Sequence, residues 1–418
     1  MNHDKRNYIL MFTDTVLFVN AMTFLSVHAV ITYFLANLGA STFEIGLANA
    51  LVSIGAFVSQ PVFAKKVMNL SYKLKTFVKI LLIQRVFFLL FVLTIPLFAE
   101  PYPRFTVALF LVCWAVFNYF VGAYNPFYVS LFAKMIANQK RGRLRGYSAG
   151  VGNLLALGSA YVTGILLKDV PFPYNYTVVF ALGVLLLVLD ALNFALMKEE
   201  PDQVTRFEMN YFQYFTSIPG MFRENRKFMK IVAGYSFMVI SHVSLAYYAL
   251  YAVRDFGAEA EQIALFVALT GLVNIAGSML FGILADKYGH HSILLVSCAC
   301  GGLAGVAAIA FHQLWAVYAA FAFTNLSISG YNLSGSMLII DHVQKEKLPM
   351  SISINAMITL VVSSVVTLCG SFIVDYLSFG AIFAVAGAAG WISCLVLYRF
   401  DKKMIPYSRK RGASAGGG

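Results

Sequence analysis

The sequence predicts an all-α membrane protein, with twelve transmembrane helices in two pseudo-symmetric six-helix bundles. Three observations predict it. The 418-residue chain is 60% hydrophobic and only 12% charged, with mean hydropathy +0.75, a balance foreign to soluble globular proteins. It contains about a dozen apolar runs of the roughly 20 residues that a bilayer-spanning helix needs. An internal repeat relates the first six of these runs to the second six.

The first six runs fall near 7–36, 43–64, 76–98, 104–133, 146–168 and 174–197. The second six fall near 228–253, 261–285, 292–311, 314–340, 350–375 and 379–400. Their lengths favour helices, because barrel strands are about 10 residues of alternating character. Most of the Lys and Arg residues cluster at alternate span ends: Lys5 and Arg6, then Lys65, Lys66, Lys73, Lys75 and Lys79, then Lys134, Lys140, Arg141, Arg143 and Arg145. The opposite ends hold only Arg104, Lys168 and Arg254. That asymmetry places both termini in the cytoplasm of a multi-pass protein of the cytoplasmic (plasma) membrane. The net charge of +12 is therefore an orientation signal with membrane lipid as its partner, and nucleic acid is excluded.

The N-terminal run is too long and polar-spotted for a cleavable signal peptide. The five cysteines, Cys113, Cys298, Cys300, Cys369 and Cys394, all lie within spans and form no CxxC pair. They read as buried, unpaired thiols with no metal or disulfide role. No cofactor motif or metal-ligand spacing occurs, and the short outer loops lack the clustered His, Asp or Cys of a membrane enzyme. The protein is expected not to be an enzyme.

A polar interruption over 198–227, with Pro201 and Pro219, separates an N-terminal bundle (1–197) from a C-terminal bundle (228–401). A basic, then Gly/Ala/Ser-rich, tail over 402–418 reads as disordered. Pairing Gly39 with Gly257, an offset of 218, also brings Thr23 onto Ser241, Ser26 onto Ser244 and Tyr33 onto Tyr251. A second offset, 207, brings Asn118, Tyr124 and Asn125 onto Asn325, Tyr331 and Asn332. Asparagine amides must find partners in hydrocarbon, so each is either interhelical glue or cavity lining. Repetition of the set favours a role tied to the symmetry, at the membrane midplane.

Between the eighth and ninth runs stands Gly282-Ile283-Leu284-Ala285-Asp286-Lys287-Tyr288-Gly289-His290-His291. It reads as a tight cytoplasmic reversal: Gly282 and Gly289 permit the turn, Asp286 faces a helix N-terminus, and Lys287 stays in the headgroup layer.

Twelve spans in two sixes and this hinge resemble the major facilitator superfamily over about residues 7 to 400. Gly282, Asp286, Lys287 and Gly289 match the family's cytoplasmic-loop signature. Arg141-Gly142-Arg143 resembles its basic loop before span five, and Leu38-Gly39-Ala40-Ser41 its entry to span two. The chain departs from the family in three places. Met68 and Ser71 stand where Asp286 and Gly289 fall in the second half, two histidines replace the terminal basic pair, and span five has no proline.

The resemblance implies alternating access about a central site formed by spans 1, 4, 7 and 10. Candidate substrate-binding residues there are Asn20, Thr23, Asn118, Asn125, Ser241, Tyr248, Asn325 and Asn332, and the gating residues are Gly282, Asp286, Lys287, Gly289, Arg141 and Arg143. Span 1 also offers Ser26 and His28. This lining is neutral and rich in hydroxyl, amide and aromatic groups, suited to an uncharged or amphiphilic solute. Asp14, Arg85 and Asp190 are ionisable well inside spans at similar depth, and so form either a structural ion pair or a proton relay. The resulting reading is a monomeric secondary transporter exporting a small amphiphilic compound, with a proton as candidate coupling ion. Uptake of a neutral nutrient such as a sugar is the alternative, and a transporter-like sensor or lipid-translocating protein a further one.

Overall fold

The structure, a computed structural model, describes residues 3–201, 220, 222–343 and 348–399. The linker expected over 198–227 lies largely outside the described residues, and the tail over 402–418 wholly so. Among the described residues there is no strand. The first span comprises His3–Phe24, a π-helical turn Val27–Ile31 and Thr32–Asn37. The second to sixth are Thr42–Met68, Leu74–Phe98, Pro103–Met135, Asn138–Asp169 and Tyr174–Ala195. The seventh is broken into Arg226–Ser241, a 3-10 turn His242–Ala246 and Tyr248–Phe256. The eighth to twelfth are Ala260–Tyr288, His290–Ala310, Leu314–His342, Leu348–Tyr376 and Phe379–Tyr398.

Eleven of these stretches are long and apolar enough to cross a membrane. The tenth falls short in hydropathy because Asn325, Asn332 and several serines interrupt it, although its 29 residues suffice in length. The fold is an all-α membrane architecture of about twelve helices.

The chain forms two compact units. The first is Met1–Asn210 with Ala249–Leu272, and the second is Tyr211–Tyr248 with Val273–Gly418. In the first unit the second span starts on a capping box, in which the Ser41 hydroxyl accepts from Glu44 N–H and Glu44 accepts from Ser41 N–H. That span packs against the fourth so closely that a Cβ on Gly55 would strike the Asn118 backbone. The outer segment of the seventh span is tied to this unit by Arg254, whose Nη1 donates to Thr42 Oγ1 at 2.8 Å. In the second unit the ninth and twelfth spans meet through backbone at Gly302, Gly305, Gly387 and Gly390. Small residues serve where lipid gives no hydrophobic drive for helix association.

The hinge between spans eight and nine is shorter than expected. Helix runs through Asp286 and Lys287 to Tyr288, and Gly289 alone reverses the chain, at φ +82°. That φ favours glycine. Gly282 is an ordinary helical residue with open space beside it, so it is not part of the turn. Asp286 is exposed and makes no bond among the described residues; it caps no helix there. The cysteines also need correction. All five are free, but only Cys298 and Cys300 are buried, while Cys369 is exposed.

Candidate functional site

Four side chains from four spans of the first unit form a buried polar cluster. Arg85 is 1% exposed, and Asp14 and Asp190 are 0% exposed. Arg85 Nη2 lies 3.1 Å from Asp190 Oδ2. Its Nε donates to Leu187 O at 3.1 Å and its Nη1 to Leu81 O at 3.3 Å and to Gln84 Oε1. The guanidinium, a rigid fork of five N–H donors, is thus held by backbone and amide as well as by charge. The Tyr124 hydroxyl donates to Asp14 Oδ1 at 2.8 Å. The Asp14 and Asp190 carboxyls are near enough for the charge of one to act on the other. Asp14 Oδ2 and Asp190 Oδ1 are buried with no donor.

Two carboxyls therefore face one guanidinium. With both ionised, the cluster would leave one unmatched negative charge in a low-dielectric interior, which is costly. One proton makes the cluster neutral and supplies the missing donor. An aromatic ladder flanks it: Phe18 on Tyr124 at 5.1 Å, Tyr124 on Tyr128 at 5.2 Å, and Tyr128 on Phe132 at 5.6 Å. The Arg145 guanidinium ends the ladder, 4.7 Å from the Phe132 ring centre.

The two broken spans share repeat positions. The first is non-helical at Ser26 (ψ 110°), and the offset of 218 carries Ser26 onto Ser244, inside the 3-10 turn of the seventh. Neither stretch contains Gly or Pro. Hydroxyls bonding back to carbonyls replace those breakers. Thr32 Oγ1 donates to Val27 O at 2.8 Å, Ser241 Oγ to Met238 O at 2.6 Å, and Ser244 Oγ to Ser241 O at 3.2 Å.

The repeated asparagines separate into two kinds. Asn118 and Asn325 are buried, and each donates to the carbonyl four residues back, Trp114 O at 2.8 Å and Phe321 O at 2.9 Å. Asn125 and Asn332 are exposed. Asn20 is buried, donating to Val16 O and Gly152 O and accepting from Ser159 at 2.7 Å. It floors a groove of about 370 Å³ lined by Val16, Leu17, Phe24 and Leu155. Thr23 bonds back to Val19 O. Ser241 and Tyr248 are fully buried, Tyr248 with Thr324 Oγ1 at 3.2 Å and stacked on Phe383.

At the basic loop, Arg141 closes the end of the fourth span through Ile136 O (2.9 Å) and Ala133 O, while Arg143 is exposed. The sequence reading passed over Glu199, which is 3% exposed. It accepts from Lys73 N–H and Leu74 N–H, at 2.9 and 2.7 Å, at the start of the third span, and from Lys134 Nζ at 3.0 Å. A pair of acids, Glu199 and Glu200, beside Lys198 was its only signal. Asn49, bonded to His28, was also missed; nothing in the sequence pairs them.

A family model described as the Major Facilitator Superfamily matches residues 229–415. No curated protein matches the chain. Among solved structures, a mutant of the nucleoside transporter NupG aligns with TM-score 0.70 at 11% identity, covering 96% of this chain and 100% of that one. A D-xylose-proton symporter aligns with TM-score 0.70 at 14% identity, covering 96% and 98%. A mutant of the E. coli fucose:proton symporter FucP aligns with TM-score 0.64 at 14% identity, covering 96% and 100%. At these identities the likeness is one of fold. The family match thus covers the second half of the chain, and the fold of these transporters extends over nearly all of it.

Proposed function

We propose that the protein is a secondary transporter in the cytoplasmic membrane that takes up a small neutral solute by alternating access, coupled to a proton. The observation that carries this reading is the charge imbalance of the Asp14, Arg85 and Asp190 cluster, which fits a single exchangeable proton. Asn125 in the first unit and Asn332 in the second serve as recognition residues, since both are exposed amides at matched repeat positions. The likeness to a nucleoside transporter and to two sugar–proton symporters supports uptake over the export favoured by the aromatic, charge-poor lining read from the sequence. Export of an amphiphile is the second reading, supported by the aromatic ladder beside the cluster. In this proposal the chain works as a monomer, with six-span halves 1–197 and 228–401 and both termini cytoplasmic.

The test uses the full chain in liposomes with an imposed pH gradient and labelled uridine, L-fucose and D-xylose. An inward proton gradient should concentrate one of them in vesicles holding wild type. Asp14→Asn should abolish accumulation and leave gradient-free exchange. Accumulation that is indifferent to the gradient would sink the coupling. No flux of any probe would count against a neutral polyol or nucleoside, and an amphiphile pumped out instead would establish the second reading.

A further inference from the structure

The first span carries a histidine that the cluster does not use, on an irregular backbone. His28 lies in the π-helical turn Val27–Ile31, two residues past the break at Ser26. Turns of this kind recur at functional sites, where a side chain must be re-aimed. His28 Nδ1 lies 2.7 Å from Asn49 Oδ1. The Asn49 amide nitrogen donates to Ile45 O at 2.9 Å, which turns its oxygen toward the ring. An amide oxygen only accepts, so Nδ1 is the protonated nitrogen and Nε2 of the neutral ring holds a lone pair. His28 is half-buried, and Nε2 neither bonds to a described residue nor belongs to the buried unpartnered atoms. Nε2 is thus an oriented acceptor with no partner among the described residues and is not a fully buried atom. By contrast, Asn20, Thr23 and Thr32 on the same span spend their polar atoms on protein groups. The Ser26 hydroxyl, two residues away and half-buried, makes no capping bond.

We propose that His28 is a specificity-determining residue whose Nε2 accepts a hydrogen bond from a hydroxyl or N–H of a neutral solute. The proposal rests on the transporter reading and narrows its substrate class. A lone pair fixed in place favours a donor, and it repels a carboxylate or phosphate oxygen set against it. Asn49 is a positioning residue that acts through the ring.

The test is a binding cycle on the full chain in lipid nanodiscs. The probes are uridine, L-fucose, D-xylose and deoxy analogues of each that lack one hydroxyl. In wild type at least one parent should bind about tenfold more tightly than one of its analogues, as expected for one hydrogen bond to a fixed partner. In His28→Phe that parent and that analogue should bind alike. Asn49→Leu, which frees the ring to take either tautomer, should give an intermediate preference, and His28→Gln, which keeps an acceptor, should restore part of it. If His28→Phe does not fold, the last two variants carry the same comparison. An undiminished preference in His28→Phe, or in both other variants, overturns the proposal, as does failure of all three parents to bind wild type. Proton uptake by the Asp14 cluster is read separately, so loss of this subsite and loss of the transporter reading remain distinguishable.

Discussion

Arg85 and Asp190 are each buried almost completely, and each is the other's charge partner. Removing one member of such a pair strands the other, at about 3–5 kcal/mol, whereas replacing both by apolar residues costs far less. Arg85→Leu should therefore melt well below wild type in detergent, and Arg85→Leu with Asp190→Leu should recover most of the difference. Equal melting of the single variant and wild type would contradict the pairing. The asparagines divide along similar lines. Asn118→Ala and Asn325→Ala remove bonds to their own helices and should cost about 1 kcal/mol of stability with solute affinity kept. Asn125→Ala and Asn332→Ala should do the reverse, lowering affinity about tenfold at unchanged melting temperature. The sequence marked all four because the amide is rare in lipid. It left glue and lining open, since the choice depends on whether the side chain folds back onto the carbonyl four residues earlier.

Helices were the most legible elements. Apolar run length placed most of their ends to within a few residues, although the fifth helix begins at Asn138 and not near 146. The breaks in spans one and seven were not legible, because side-chain hydroxyls bond to backbone there and no Gly or Pro announces the event. Glu199 was hidden for a related reason: its partners Lys73, Leu74 and Lys134 lie more than sixty residues away. Glu199→Ala should leave two N–H donors and a lysine without their acceptor, costing about 2–4 kcal/mol, read as a lower melting temperature. Glu199→Gln should cost less, because its amide oxygen still accepts. In the second unit Gly305→Val should be more damaging than Gly158→Val. A Cβ at Gly305 meets the Gly387 backbone, and one at Gly158 meets nothing. Similar expression and melting of these two variants would argue against the close helix contact.

Across the whole molecule, the repeat explains the architecture and its breach points to function. At the offset of 218, Val232 stands where Asp14 does, and it is buried among Phe228, Ile231, Tyr235 and Met238. Tyr331, the counterpart of Tyr124, packs edge-on against Tyr235 and takes Asn355 as its polar neighbour, at 3.4 Å. The second unit has thus kept the tyrosine and carries a valine in place of the Asp14 carboxyl. An Asp14 carboxyl without a counterpart in the second unit fits a transporter that couples through one half. The central claim is that Asp14 and Asp190 hold one proton between them, and infrared spectroscopy of the full chain in nanodiscs at neutral pH tests it without knowledge of the solute. The account predicts a buried carboxylic-acid C=O band in wild type, shifted by deuteration and absent from the Asp14→Asn, Asp190→Asn double variant. A wild-type spectrum without that band, or a band indifferent to both substitutions, would contradict it.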